Sequence, residues 1–389
     1  MKAYVVGGAV RDRLLGGVVN DRDWVVVGAT PQELLAAGYT PVGRDFPVFL
    51  HPTTREQYAL ARTERKAGPG YHGFVFHAAP DITLQQDLAR RDLTINAIAE
   101  DPDSGELIDP FGGRRDLHDR VLRHVSDAFA EDPVRLLRLA RFAARWPDFH
   151  VAPETQFLLQ RLVNAGEVDA LVPERVWQEL ARGLTEQAPS HMIELLRSCG
   201  ALARLAPQLD RWLSDDRQRA AALLRALDGA DAVLPLRFAC LCHGLDDVDG
   251  SVAPGQPALR ALCERWRVDT ECRDIALLVA REWPLLCAGR VADADACLAL
   301  LERADAWRRP ERIGVALAAT DVLASTLPAV EQGRVQRQGG QLRAALLAAL
   351  SVNTAALAPA TRNTVQGEAL GRALRQARLQ AIAETLART

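Results

Sequence analysis

The sequence has almost no lysine: Lys2 and Lys66 are the only two among 47 basic residues. Any phosphate contacts are therefore expected to be made mainly by arginine, whose planar guanidinium forks onto phosphate oxygens. Cysteine is also scarce. The seven lie at Cys199, Cys240, Cys242, Cys263, Cys272, Cys287 and Cys297, an odd number confined to the second half with no CxxC. That argues against a disulfide framework or a zinc site and predicts reduced, core-filling thiols. No run of about 18 uncharged apolar residues occurs, so no membrane-spanning helix is expected. Arg11 and Asp12 come too early for the apolar core of a signal peptide, which leaves the cytoplasm as the default location. Neither a solenoid repeat nor a low-complexity tract is present.

What remains is an ordinary globular composition, 48% apolar and 25% charged, over 389 residues, too long for one core. The net charge of −3 does not announce a nucleic-acid binder, but residues 331–389 carry eight arginines against three glutamates, a local +5. The first 125 residues mix strand and helix signals. AYVV, DWVVVG, FPVFLH and QYALAR read as short strands. Between them Thr30, Pro31 and Glu33 form a capping box with proline at the first helical position. ELIDPFGG reads as a strand and turn. From about residue 126 helical periodicity takes over. In HMIELLRSCG one face carries Met192, Leu195, Leu196 and Cys199, and Gly200 is a natural stop. The stretch Leu245 to Pro257 reads as a loop or linker.

The opening VVGGAVRDRLLGGVVNDRD poses the chemical question. Gly7 and Gly8 follow a strand and precede a helix, an arrangement that lets backbone N–H groups and the helix N-terminus approach a phosphate. Arg11 lies in the first turns of that helix and adds a charged donor. Asp21 and Asp23 stand two apart before a run of valines; on a strand that spacing puts both carboxylates on one face. Two neighbouring carboxylates repel unless a cation lies between them, and hard oxygen ligands suit Mg2+.

GGAVRD followed by DRD resembles the first signature of the polymerase-β-like nucleotidyltransferases, in the branch of the bacterial class II CCA-adding enzymes and poly(A) polymerases. The resemblance implies two-metal phosphoryl transfer with Asp21 and Asp23 as catalytic metal ligands and Gly8 and Arg11 at the nucleotide. A third carboxylate stays unassigned, because Gln57 stands where relatives often carry an acid. RRDLTINA, residues 90–97, is similar to a second family motif; it implies that Arg91 binds nucleotide, with Asp92 and Asn96 in the same motif. EDPVRLLRLARF, residues 131–142, resembles the EDxxR motif.

Locally, Asp132 reads as an N-cap and Pro133 as the first helical residue, after which Arg135, Arg138, Arg141 and Arg145 share one helix face. Four arginines with no interleaved acids repel one another and call for anions. By resemblance Asp132 and Arg135 select the base, and Arg138 and Arg141 also bind CTP or ATP. Cytosine and adenine each present an amino donor beside a ring-nitrogen acceptor; a carboxylate and a guanidinium match that pair, whereas uracil and guanine reverse it. The loop RTERKAGPGYHGF, residues 62–74, resembles a flexible element that favours full CCA addition.

The resemblance implies an α+β fold: a nucleotidyltransferase head at 1–125, a helical neck at 126–165, and a helical body and tail at 166–389 that binds tRNA. Around 236–320 lies a degenerate HD-type region. His243 is followed by Gly244 rather than aspartate, and no histidine follows it. A working metal phosphohydrolase is therefore not expected, and His243 reads as a core or surface residue. In the last helix Arg372, Arg375 and Arg378 share a face that either grips RNA backbone or is simply solvated. The expected reaction is addition of C, C and A to tRNA from CTP and ATP with Mg2+. A poly(A) polymerase of the same family and a catalytically inactive RNA-binding relative stay open as alternatives.

Overall fold

The computed structural model describes residues 1–19, 21–42, 48–66, 74–248, 251–252, 255–291, 293–353 and 366–388. The chain divides into two compact units, Met1–Leu205 and Ala206–Thr389.

The first unit opens as an α+β layer, as the sequence predicts. Strand β1 (Lys2–Val6) leads into helix α1 (Gly8–Leu14), then β2 (Asp23–Val27), α2 (Pro31–Ala36), β3 (Thr40–Val42), β4 (Val48–Leu50) and β5 (Gln57–Leu60). A separate hairpin, β6 (Arg62–Lys66) with β7 (Phe74–Ala78), is followed by α3 (Leu84–Ala89), β8 (Ala99–Glu100) and β9 (Leu107–Ile108). The main sheet runs β3-β4-β5-β2-β1-β8-β9, with β2 and β5 the parallel pair in its middle. Alternation along the strands gives the sheet two apolar faces. Val6 and Val25 pack with Leu88, Ala97 and Ala99 on one side, and Val26 and Leu60 with Leu34 and Phe49 on the other. The capping box at Thr30 forms as expected: its hydroxyl accepts from Glu33 N, and Glu33 accepts from Thr30 N at 2.7 Å. Within the predicted loop at 62–74, Arg62–Lys66 instead form strand β6, held by pairing with β7, and residues 67–73 lie outside the described residues.

Helix α4 (Gly113–Asp119) and strand β10 (Val121–Leu122) lead to α5 (Val134–Arg145). Strand β11 (His150–Val151) pairs in parallel with β10, and α6 (Pro153–Asn164), α7 (Pro173–Leu184), α8 (Pro189–Ser198) and α9 (Ala201–Leu205) complete the unit. Leu136, Leu139 and Ala140 of α5 are wholly buried. Gly200, just past α8, takes φ +82°, the left-handed turn that the sequence assigns to it.

Among the described residues the second unit is helical apart from a two-stranded ribbon, Asp247–Val248 with Ser251–Val252. The ribbon lies in the stretch predicted to be a loop, parts of which fall outside the described residues. The helices are α10 (Pro207–Asp215), α11 (Arg217–Gly229), α12 (Leu234–Cys242), α13 (Pro257–Trp266), α14 (Thr270–Cys287), α15 (Ala294–Arg303), α16 (Pro310–Ala324) and α17 (Ala329–Leu350), with a last helix over Gln366–Leu386. All seven cysteines are free thiols and six are buried, as predicted.

His243, at the end of α12, is caged. Its Nδ1 donates to the Cys240 carbonyl at 2.8 Å, and the rings of Trp212 and Trp283 stand edge-on at 5.1 and 5.9 Å. Burial pushes its pKa down to about 4. The unfolded chain takes up that proton near pH 6.5, while the folded unit refuses it until about pH 4. Stability is therefore present in full above pH 6.5 and falls through this window as the pH drops. By pH 5 the loss is about 2 kcal/mol. Urea denaturation of the wild type and a His243→Phe variant at pH 7 and pH 5 should show the variant losing less by that amount.

Candidate active site

The sequence motifs converge on one cleft of about 480 Å3 in the first unit, lined by Gly7, Gly8, Arg11, Asp23, Arg91, Asp92, Asn96, Asp132, Arg135, Arg138 and Arg141. Of the catalytic and nucleotide-binding residues expected from the sequence, Asp21 alone is not among the lining. Arg90, Phe142, Arg145 and Arg175 join the wall.

One side of the cleft is the turn from β1 into α1. Gly7 has φ +70° and ψ −128°, a conformation open essentially to glycine alone. A Cβ there would stand 2.9 Å from Arg91 Nη1 and 3.7 Å from the Asn96 carbonyl oxygen. Gly7→Ala should therefore cost about 1–3 kcal/mol of stability and push Arg91 aside. Thermal melting and CTP affinity, measured together, should both fall.

Asp23 opens β2, paired with Val6 on one side and Gln57 on the other. This register puts an amide, not an acid, directly beside it. Asp21 is exposed and precedes the strand, so the shared strand face expected for the two aspartates is corrected: only Asp23 is held by sheet pairing. Among the described residues no group of three His, Cys, Asp or Glu side chains lies close enough to hold a metal. In the cleft wall Asp23 offers an exposed carboxylate, a hard oxygen donor suited to a divalent cation that takes other ligands from substrate phosphates and water.

RRDLTINA, residues 90–97, follows the end of α3 and forms a short 3-10 turn over Thr94–Asn96. Asp92 is buried and accepts three hydrogen bonds, from Leu93 N at 2.8 Å, Asn96 Nδ2 at 2.9 Å and Arg138 Nε at 2.9 Å, with Arg138 Nη2 in ion-pair contact at 2.8 Å. Burial pushes its pKa up, but the Arg138 charge and these donors outweigh it and hold the carboxyl well below the usual range. Arg138 is raised in return, chiefly by Asp92. Asn96 Oδ1 also accepts from Arg11 Nη1, so one amide ties the first motif to the second. Arg90 and Arg91 both reach the fully buried Asp87, at 2.7 and 3.3 Å.

The arginine face of α5 lines the cleft as expected, but three of its four charges are met by acids. The acids that the helix itself lacks come from other elements: Asp92 for Arg138, Glu179 of α7 for Arg141 at 2.7 Å, and Asp12 of α1 for Arg145 at 3.2 Å. Contrary to the expectation from spacing, repulsion among these arginines does not by itself call for anions, since acids of other elements relieve it. Helix α5 begins at Val134, with Pro133 before it, one residue later than predicted. Asp132 still caps it, accepting from Val134 N at 3.2 Å. Its carboxylate is also gripped by the fork of Arg175, at 3.3 and 2.9 Å. Arg135 Nη1 donates to the Ala128 carbonyl at 2.8 Å. Arg175 and Glu179 were not singled out from the sequence; their only signal is the pair of charges, four apart, at the start of α7.

In the last helix Arg375 pairs with Glu302 at 3.0 Å, and Arg378 lies over the Trp307 ring at 4.0 Å. That part of the predicted basic face is thus engaged within its own unit.

Residues 3–123 match the family model described as the poly A polymerase head domain, and residues 148–213 one described as a probable RNA and SrmB-binding site of polymerase A. A Multifunctional CCA protein of Leptothrix cholodnii is 54% identical, over 98% of this chain and 96% of its own. A Thermotoga maritima CCA-adding enzyme complexed with tRNA shares the fold, with TM-score 0.63 and 24% identity over 99% of this chain and 90% of that one. A Bacillus stearothermophilus CCA-adding enzyme in complex with CTP matches with TM-score 0.62 and 24% identity, over 96% and 87%. Identity above one half, spread over nearly the whole of both chains, makes this protein a member of the bacterial CCA-adding enzyme family, built on a head of the poly(A) polymerase type.

Proposed function

We propose that this chain adds C, C and A in turn to the 3′ end of tRNA, from CTP and ATP, releasing pyrophosphate. The observation that carries the reading is the single cleft, in which the glycine turn and Asp23 face the base-selecting pair Asp132 and Arg135. The 3′-hydroxyl of the RNA attacks the α-phosphorus, one P–O bond forms and the bond to the bridging oxygen of the leaving pyrophosphate breaks. Asp21 and Asp23 would hold divalent ions, Mg2+ by the hardness of the donors; when bound, these lower the pKa of the attacking hydroxyl and neutralise charge on the triphosphate. The Gly8 amide, Arg11 and Arg91 bind the phosphates. Asp132 accepts from the exocyclic amino group of cytosine or adenine, Arg135 donates to the adjoining ring nitrogen, and Arg138 and Arg141 complete the nucleotide site.

The reading assigns the head to 1–125, the neck to 126–165 and a tRNA-binding body and tail to 166–389, and places the protein in the cytoplasm, where free thiols are stable. An HD-type hydrolase activity is not part of it. The Nδ1 of His243 is committed to a carbonyl, and any side chain at Gly244 would meet the Trp212 indole at 2.4 Å, leaving no room for a neighbouring aspartate.

The test is ordered extension of a tRNA lacking its CCA end. CTP alone should add two residues and stop, and ATP should then add one. A long adenosine tail with no use of CTP would make the chain a poly(A) polymerase, and no extension at all an inactive relative.

A further inference from the structure

Phe142 is the one aromatic residue in the cleft wall among the described residues, and it is 3% exposed. Three guanidinium groups gather over its ring: Arg141 at 4.5 Å, Arg11 at 5.4 Å and Arg138 at 5.8 Å from the centroid. One turn on, Trp146 stacks beneath it at 5.4 Å with an interplanar angle of 10°. Trp146 itself carries Arg11 at 4.8 Å and Arg145 at 5.0 Å, and Phe149 continues the column at 5.4 Å. These aromatics thus run as a spine beside the arginine wall.

The acids around the cleft do not explain this arrangement. Asp12, Asp92 and Glu179 take the edges of Arg11, Arg138 and Arg141 through in-plane N–H donors. The flat faces carry no donor and, once buried, lose water without a hydrogen-bonding replacement. An aromatic ring offers those faces an electron-rich surface; a leucine would fill similar space and offer none. Arg11 comes from α1 and Arg138 and Arg141 from α5, so the ring is where the two elements' charges are brought to a common spacing.

We infer that Phe142, backed by Trp146, is a positioning residue for the nucleoside triphosphate: its π face holds Arg11, Arg138 and Arg141 as one convergent set. The inference rests on the reading that this cleft binds CTP and ATP. Phe142 acts through the arginines and need not touch the substrate.

A series of ring-fluorinated phenylalanines at position 142 tests it, because one, two and three fluorines drain the ring's face progressively while hardly changing its shape. The Kd for CTP, titrated with Mg2+ present, should rise about two- to threefold with each step and about tenfold across the series. The melting temperature should change little, since an electron-poor ring still stacks on the tryptophan. Phe142→Leu should weaken CTP binding at least as much as the last member. A Kd independent of fluorine number would overturn the inference, whatever Phe142→Leu does to folding. Failure of the unmodified protein to bind CTP would be recognisable separately, as failure of the functional reading itself.

Discussion

Asparagine in place of Asp23 should slow nucleotide addition by about three orders of magnitude or more, while the protein melts where the wild type does. The substitution is nearly isosteric and the side chain is exposed, so the backbone pairing of Asp23 with Val6 and Gln57 is undisturbed. What disappears is a carboxylate in the cleft wall, the proposed ligand of a divalent ion, and its strand partner Gln57 is an amide that offers no replacement charge. Single-turnover addition of one C to a tRNA lacking its end separates this loss of chemistry from a loss of binding, which should be small. Asp21→Asn should act in the same direction. A Asp23→Asn enzyme retaining a tenth of the wild-type rate would remove this aspartate from the catalytic set.

The second large effect is on choice rather than rate. Exchanging Asp132 for asparagine should lower the preference for CTP and ATP over UTP and GTP by about two orders of magnitude. A carboxylate only accepts, so uracil, which presents a carbonyl at that edge, leaves two acceptors facing each other. An amide can turn its N–H to that carbonyl and relieve the mismatch. The Arg175 fork and the Val134 amide fix the carboxylate in the wild type, so Arg175→Met should erode discrimination in the same direction, by less. Competition between labelled CTP and UTP on the same RNA measures the effect. Equal losses for all four nucleotides would mean that Asp132 only caps the helix.

Local features of this fold are legible in the sequence because neighbours in the chain determine them. The Thr30 capping box, the Gly200 stop and the glycine turn before α1 each depend on a few consecutive residues, and each forms where the pattern puts it. The arginine face of α5 is also a matter of spacing alone. What spacing cannot show is who answers those charges. Arg138 meets Asp92 across 46 positions, Arg141 meets Glu179 across 38, and Arg145 meets Asp12 across 133. The arginine wall therefore reads as a bare anion trap in one dimension and is a largely paired network in three.

Phe142 and Trp146 escaped notice for a related reason. Apolar residues on an amphipathic helix read as core, and nothing in a periodic pattern reports a cation over a ring. Asp21 shows the limit of the strand template: the alternation that put it beside Asp23 applies only inside β2, which begins two residues later. Strand β8, two residues long, carries too little pattern to be read singly and exists because the sheet supplies a partner, whereas β9 falls in the strand that ELIDPFGG signals.

The central claim is that one cleft serves both nucleotides. Calorimetric titration of the protein with CTP, and then of the CTP-loaded protein with ATP, tests it most directly. One molecule of CTP should bind per chain, ATP should bind only by displacing it, and UTP should displace neither. If ATP instead binds at full stoichiometry with CTP still in place, the two nucleotides occupy different sites and the account built on this cleft is wrong.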